Sequence, residues 1–248
     1  MNKSTFQSVL IVKKSFVILL TFVMTHIFKM IPKNILNMND GKISEIRQAV
    51  GEAFFLNKVQ PSLDVMRETL NKYPKGSVAL SFNGGKDCTV LLELAELLGD
   101  KELKIVYFEE PDAFEDLIEF VQTRLSVSPF TSLKLSSDIR RGMEELVSQE
   151  NVEAVFLGQR ISDPYAPQQI NSASSPGWPV FMRVCPILNW SYGDIWHFIV
   201  STKTSFCHLY EKGYTSLGPK SRTRPNPYLD DKPAWLLENY QTERSGRF

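Results

Sequence analysis

Cysteine is scarce in this chain of 248 residues: there are 3, Cys88, Cys185 and Cys207, with no C-x-x-C spacing among them. An odd, widely spaced set supports neither a disulfide framework nor a structural zinc site, and it fits a reducing cytoplasm. Net charge is absent as well, since Lys plus Arg and Asp plus Glu each number 28. With no global field there is no long-range attraction for nucleic acid or an acidic membrane surface, so anionic small molecules have to be captured by local clusters. Acids are missing altogether from residues 1–39, where Lys13-Lys14 precede the apolar run Phe16 to Phe28. That run is interrupted by Thr21, Thr25 and His26 and falls short of the ~20 residues that cross a bilayer, so no stable membrane span is expected. It has no small-x-small cleavage site and no arginine. Residues 1–40 are expected to be a dispensable extension, with mitochondrial targeting by residues 1–37 as the alternative, ahead of a domain covering 41–248 that could begin near Met38.

The rest is an ordinary globular mix, 43% hydrophobic and 23% charged, long enough for one good core. Its most informative stretch is Ser81-Phe82-Asn83-Gly84-Gly85-Lys86-Asp87-Cys88. Before it, Val78-Ala79-Leu80 suits a buried parallel strand; after it, Val90 to Leu98 recurs with helical spacing. Glycines in the turn let backbone N–H groups approach anionic oxygens, the helix N-terminus favours negative charge, and Lys86 adds a cation. The stretch therefore reads as a phosphate site. It is neither the Walker A pattern nor the dinucleotide fingerprint G-x-G-x-x-G. The plainer reading is a Gly-rich turn with an exposed Lys-Asp pair, and the flanking strand and helix argue against it.

Two helices are expected between Ile43 and Tyr73, with Pro61 as the break. Strands are expected at Ile105 to Phe108, Leu133 to Leu135 and Ala154 to Gly158. Helices are expected at Phe114 to Leu125, Ile139 to Gln149 and Trp190 to Ser201. Such alternation predicts the α/β class, with a Rossmann-like, doubly wound, mainly parallel sheet flanked by helices. Ligands of these sheets sit beyond the carboxyl ends of strands, so Asn83 to Asp87 and Gln159 to Pro164 are expected to face one cleft. Ala166 to Pro179 reads as a long loop, either a binding loop or disordered. The polar tail from Lys203 is expected to close over the site.

Gly158-Gln159-Arg160-Ile161-Ser162-Asp163-Pro164 sets a guanidinium near a carboxylate just after a strand. Arg160 suits a bidentate phosphate contact, and Asp163 suits orientation of a polar group or a share in holding Mg²⁺. A surface salt bridge explains the same pair. In Gly177-Trp178-Pro179-Val180-Phe181-Met182-Arg183, two rings beside a cation suit a flat aromatic ligand bearing a phosphate, while core packing explains the rings alone.

Together these blocks resemble the PAPS-reductase-like PP-loop enzymes, which cleave ATP between the α- and β-phosphates, and within them the eukaryotic FAD synthases (FMN adenylyltransferases). Ser81 to Cys88 resembles the PP-loop S-x-G-G-K-D, Gly158 to Pro164 the flavin motif G-x-R-x-x-D-P, and Gly177 to Arg183 the W-P-x-F-M-R block. Tyr214-Thr215-Ser216-Leu217-Gly218 and the terminal Glu243-Arg244-Ser245-Gly246-Arg247 are similar too, so coverage runs from about Lys42 to the end. The resemblance implies that 41–248 is a PP-loop FAD synthase domain. It would act as a monomer, transferring AMP from ATP to FMN to give FAD and pyrophosphate, with Mg²⁺ as the ion. It assigns Ser81, Gly84, Gly85 and Lys86 to the ATP phosphates and Asn83 and Asp87 to the transferring phosphoryl group. Arg160, Asp163, Trp178, Phe181 and Arg183 fall to FMN, with Asp163 also in the catalytic set and as a candidate metal ligand. Arg244 and Arg247, in the terminal E-R-x-x-R, complete the charge clamp. Ala113-Phe114-Glu115 lacks a proline often found there, which leaves the adenine side unassigned.

Two other readings compete. Reduction of phosphoadenylyl sulfate needs a cysteine in a C-terminal E-C-G-x-H context, which Phe206-Cys207-His208-Leu209 does not match. A non-catalytic flavin or nucleotide sensor would be favoured if the terminal arginines proved replaceable.

Overall fold

The apolar run Val78-Ala79-Leu80 forms a strand inside the sheet, as a segment without polar side chains must when both faces are covered. In this computed structural model, residues 39–135 and 138–248 are described. The strands are β1 (Val78–Ser81), β2 (Lys104–Phe108), β3 (Thr131–Leu135), β4 (Ala154–Phe156), β5 (Asn171–Ala173) and β6 (Met182–Val184), in one 6-stranded sheet ordered β3-β2-β1-β4-β6-β5. All pairings are parallel except β5 with β6. The helices are α1 (Asp40–Val50), α2 (Glu52–Phe54), α3 (Gln60–Lys72), α4 (Lys86–Leu98), α5 (Glu115–Ser126), α6 (Ile139–Ser148) and α7 (Tyr192–Thr202), with a π-helical turn at Phe55–Val59 between α2 and α3. This is the doubly wound, mainly parallel α/β architecture that the alternation of apolar runs implies.

Residues alternate across each strand. Ala79, Val106 and Val155 pack on Met143 and Leu146 of α6, so Leu80, Ile105 and Phe156, also fully buried, point to the opposite face. A capping box starts α7: the Ser191 hydroxyl accepts from Asp194 N–H, and the Asp194 carboxylate accepts from Ser191 N–H.

Two expectations need correction. The break among the N-terminal helices falls at Gly51, whose φ of +86° ends α1, whereas Pro61 sits in the first turn of α3 directly after the π-helical turn. Ala166 to Pro179 is not a plain loop either, because Asn171–Ala173 pairs antiparallel with Met182–Val184 at the sheet edge. Asn171–Ala173 is short and largely polar, so it offers no apolar run by which to be read from sequence. The expectations for residues 1–37 lie outside the described residues. Among the described residues no helix is long and apolar enough to cross a membrane.

Candidate active site

β1 and β4 are parallel neighbours, and the chain continues from β1 to β2 on one side while β6 lies beyond β4 on the other. This is the topological switch point, where the crevice of an open α/β sheet forms. The turns after both strands meet there. Gly158 passes so close to α4 that a Cβ on it would stand 2.9 Å from the Cys88 backbone nitrogen. Gly84 has a φ of +75°, and a Cβ there would stand 2.6 Å from Val121 Cγ2, so only glycine fits. Exposed Asn83 braces the turn: its Oδ1 accepts from Gly85 N–H at 3.0 Å and from the Cys88 thiol at 2.8 Å.

Lys86, the first residue of α4, points inward. Its side chain is 3% exposed, with Nζ 2.5 Å from Glu243 Oε1, 3.1 Å from Asp87 Oδ2 and 5.2 Å from the centre of the Tyr192 ring. Its backbone N–H donates to Tyr210 Oη at 2.8 Å. Arg160, 1% exposed, donates from Nη2 to both Glu243 oxygens at 2.6 and 2.8 Å. Arg160 Nε lies 2.7 Å from Asp87 Oδ1 as an ion pair without hydrogen-bond alignment. Two cations thus face three carboxylates, Asp87, Asp163 and Glu243. Burial pushes the Arg160 guanidinium down, but Asp87 and Glu243 outweigh it and hold it above its ordinary value. Lys86 and Arg160 are therefore neutralised locally rather than open to a polyphosphate, although Arg160 Nη1 has no hydrogen-bond partner among the described residues.

Open positive charge lies on the tail instead. Arg247 Nη1 donates to Leu217 O at 2.6 Å, and Arg244 Nη1 lies 3.5 Å from Ser216 Oγ. Among the described residues neither is paired with a carboxylate. Burial, then Arg244 and Arg222, push the Arg247 guanidinium down. The tail is tied rather than frayed: Arg224 N–H donates to Gly246 O at 2.9 Å, Phe248 N–H to Arg222 O at 3.2 Å, and Asn226 Nδ2 to Thr242 O at 2.8 Å.

The FMN-side residues are dispersed. Trp178 is exposed on the turn between β5 and β6, and Arg183 is half-buried on β6, its Nε without a hydrogen-bond partner among the described residues. Phe181 packs with Met143, Leu146 and Val155. Asp163 lies against Arg160. Its Oδ2 accepts from Arg160 N–H at 2.8 Å and its Oδ1 lies 3.4 Å from Arg160 Nη2, so it braces that loop. Burial pushes its carboxyl up. Ser81 ends β1, half-buried. Sequence reasoning missed Glu243, Tyr192 and Tyr210 as site residues. Glu243 stood inside the quoted terminal block, whereas nothing in the sequence distinguished the tyrosines.

Over 209 residues the chain is 34% identical to the probable FAD synthase of Schizosaccharomyces pombe, spanning 77% of this chain and 79% of that protein. The chain belongs to the FAD synthase family. Another member of the FAD synthase family, from Caenorhabditis briggsae, is 34% identical over 212 residues, which are 78% of this chain and 40% of that longer protein. The fold matches the FMN adenylyltransferase of Candida glabrata solved with FMN and the ATP analog AMPCPP. Its TM-score is 0.74 at 22% identity, covering 86% of this chain and 98% of that one. The family model of the phosphoadenosine phosphosulfate reductase domain matches residues 139–225. Reductase chemistry finds no support in the thiols: Cys207 is fully buried, and burial pushes it up to about 11.

Proposed function

We propose that this protein transfers the AMP of ATP to the phosphate of FMN, releasing FAD and pyrophosphate. One observation carries the reading: in a chain of the FAD synthase family, the PP-loop turn, the Arg160 loop and the arginine-bearing tail converge at the switch point of the sheet. An FMN phosphate oxygen bonds to the α-phosphorus while the bond to the bridging oxygen of the β-phosphate breaks, and that electron pair leaves with pyrophosphate. Two polyanions have to be held in line against their repulsion, so orientation and charge neutralisation supply most of the rate. A phosphate monoester has its second pKa near 6, so at neutral pH the attacking group needs little help from a base.

In this reading Ser81, Gly84, Gly85 and the start of α4 at Lys86 face the departing phosphates, and Asn83 and Asp87 position the α-phosphoryl group. Arg160, whose Nη1 has no hydrogen-bond partner among the described residues, Asp163, Trp178, Phe181 and Arg183 serve the FMN side. Arg244 and Arg247 neutralise the transition state. Lys86 and Arg160 act chiefly by holding the two turns together, since carboxylates already balance them. Mg²⁺ remains the expected ion. Among the described residues no group of three His, Cys, Asp or Glu side chains could hold a metal by itself, and Mg²⁺, which takes one or two carboxylates together with substrate phosphates, would arrive on the triphosphate with Asp163 as candidate ligand. The catalytic domain is 41–248, with a dispensable extension before it, in a cytoplasmic monomer. Three free cysteines support that compartment.

The test is to incubate the purified protein with FMN, ATP and Mg²⁺ while following FAD by chromatography and pyrophosphate by a coupled assay. Equal amounts of both, with riboflavin inert as acceptor, are expected. ATP hydrolysis indifferent to FMN would overturn the reading in favour of a hydrolase, and binding without turnover would overturn it in favour of a sensor.

A further inference from the structure

Glu243 holds a position that the assignments above leave unused. Its carboxylate touches both buried cations, Lys86 Nζ at 2.5 Å and Arg160 Nη2 at 2.6 and 2.8 Å, so it joins the start of α4 to the loop after β4. Its carbonyl oxygen accepts from the Thr215 hydroxyl at 2.6 Å. The residue is thus tied at both ends. Arg244 follows at once, about 3.8 Å along the chain, so any shift of Glu243 moves it directly. Arg247 N–H donates to Arg244 O at 2.9 Å, which carries the same constraint to the second guanidinium. Ser216, the neighbour of Thr215, lies against both guanidinium groups at 3.5 and 3.4 Å.

Charge balance does not explain the arrangement. Without Glu243, Lys86 and Arg160 still face Asp87 and Asp163, one carboxylate for each cation. A third carboxylate adds net negative charge beside a site that must receive two polyanions, and buried ion pairs are weak contributors to stability. Geometry accounts for it better: Glu243 makes the tail a part of the PP-loop.

We propose that Glu243 is a positioning residue that couples the PP-loop and the Arg160 loop to Arg244 and Arg247, so that the tail arginines are presented only when both turns are formed. This rests on the FAD-forming reaction proposed above.

The test is a double-mutant cycle on FAD formation. Glu243→Gln keeps the length and an acceptor but removes the charge. It is expected to lower kcat on the order of 10-fold with little change in KM for ATP, because the arm is misplaced while the PP-loop remains. Arg247→Ala is expected to cost on the order of 100-fold in the wild-type background. In the Glu243→Gln background it should cost less than about 10-fold, since a misplaced arginine has less to lose. Costs that simply multiply, or an unchanged kcat for Glu243→Gln, would overturn the coupling. If Glu243→Gln does not fold, the same cycle is run with Thr215→Val, which leaves every charge in place and releases the Glu243 carbonyl. Multiplying costs there overturn it equally. Wild-type protein that forms no FAD would sink the functional reading and this inference with it, whereas FAD formation with multiplying costs sinks the inference alone.

Discussion

Gly218 lies directly against the guanidinium of Arg247: a Cβ at 218 would stand 2.0 Å from Nη2 and 2.1 Å from Cζ. The obstacle is the far end of a flexible side chain rather than backbone, so the fold can accept a methyl group, but the guanidinium has to leave its place. Gly218→Ala is expected to melt close to wild type while FAD formation falls on the order of 10- to 100-fold, approaching the loss expected for Arg247→Ala. Melting by circular dichroism beside steady-state turnover checks it. Full turnover would show that Arg247 works from somewhere else.

Arg244 and Arg247 should tolerate lysine poorly. Arg247 Nη1 donates to Leu217 O at 2.6 Å and to Ser216 Oγ at 3.4 Å, a fork that an ammonium cannot reproduce. Each Ala variant is expected to lower kcat more than it weakens ATP binding, with each Lys variant rescuing in part. Equal rates for Lys and Arg would mean that charge alone is needed.

Asp87 changes character once the structure is known. From sequence alone, its replacement by alanine is expected to abolish most turnover and leave thermal stability nearly unchanged. In the folded protein it sits 2.7 Å from Arg160 Nε and 3.1 Å from Lys86 Nζ, so Asp87→Ala strips a partner from two buried cations. Loss of both activity and on the order of 3 kcal/mol of stability is expected. Asp87→Asn, which keeps the shape, should lose less stability and still lose turnover. Urea unfolding paired with the FAD assay separates the two, and an Asn variant with wild-type turnover would remove Asp87 from the chemistry.

The thiols should be silent. Burial pushes Cys88 up to about 12 and Cys185 and Cys207 to about 11. At pH 8 the Cys88 thiolate is then on the order of one part in ten thousand, and the thiolate is the reactive form. Iodoacetamide is expected to leave all three unmodified in the native protein and to label all three in denaturant, as read by mass spectrometry. Fast labelling of native Cys207 would revive a thiol mechanism.

The sequence by itself determined the α/β class, since apolar strand runs, helical recurrence and Gly-rich turns are local patterns. Val78 to Leu80, Gly84 and the helix after Lys86 need no partner to be recognised. Placement beyond strand ends also foretold that the PP-loop and the Arg160 loop would share one cleft. Only the tertiary structure decided what those charges do there. Glu243 reaches Lys86 across 157 positions and Arg160 across 83, and no periodicity records a pairing at that range. The same holds for Phe181, whose ring reads alike on a ligand or in a core until α6 is laid against it, and for β5, too short to announce itself before β6 is beside it. Local sequence fixes conformation through sterics and hydrogen bonding among neighbours. Burial and charge partnership are set by whatever the folded chain brings close, and that is how Lys86 and Arg160 come to share Glu243 while Arg244 and Arg247 have no carboxylate partner among the described residues.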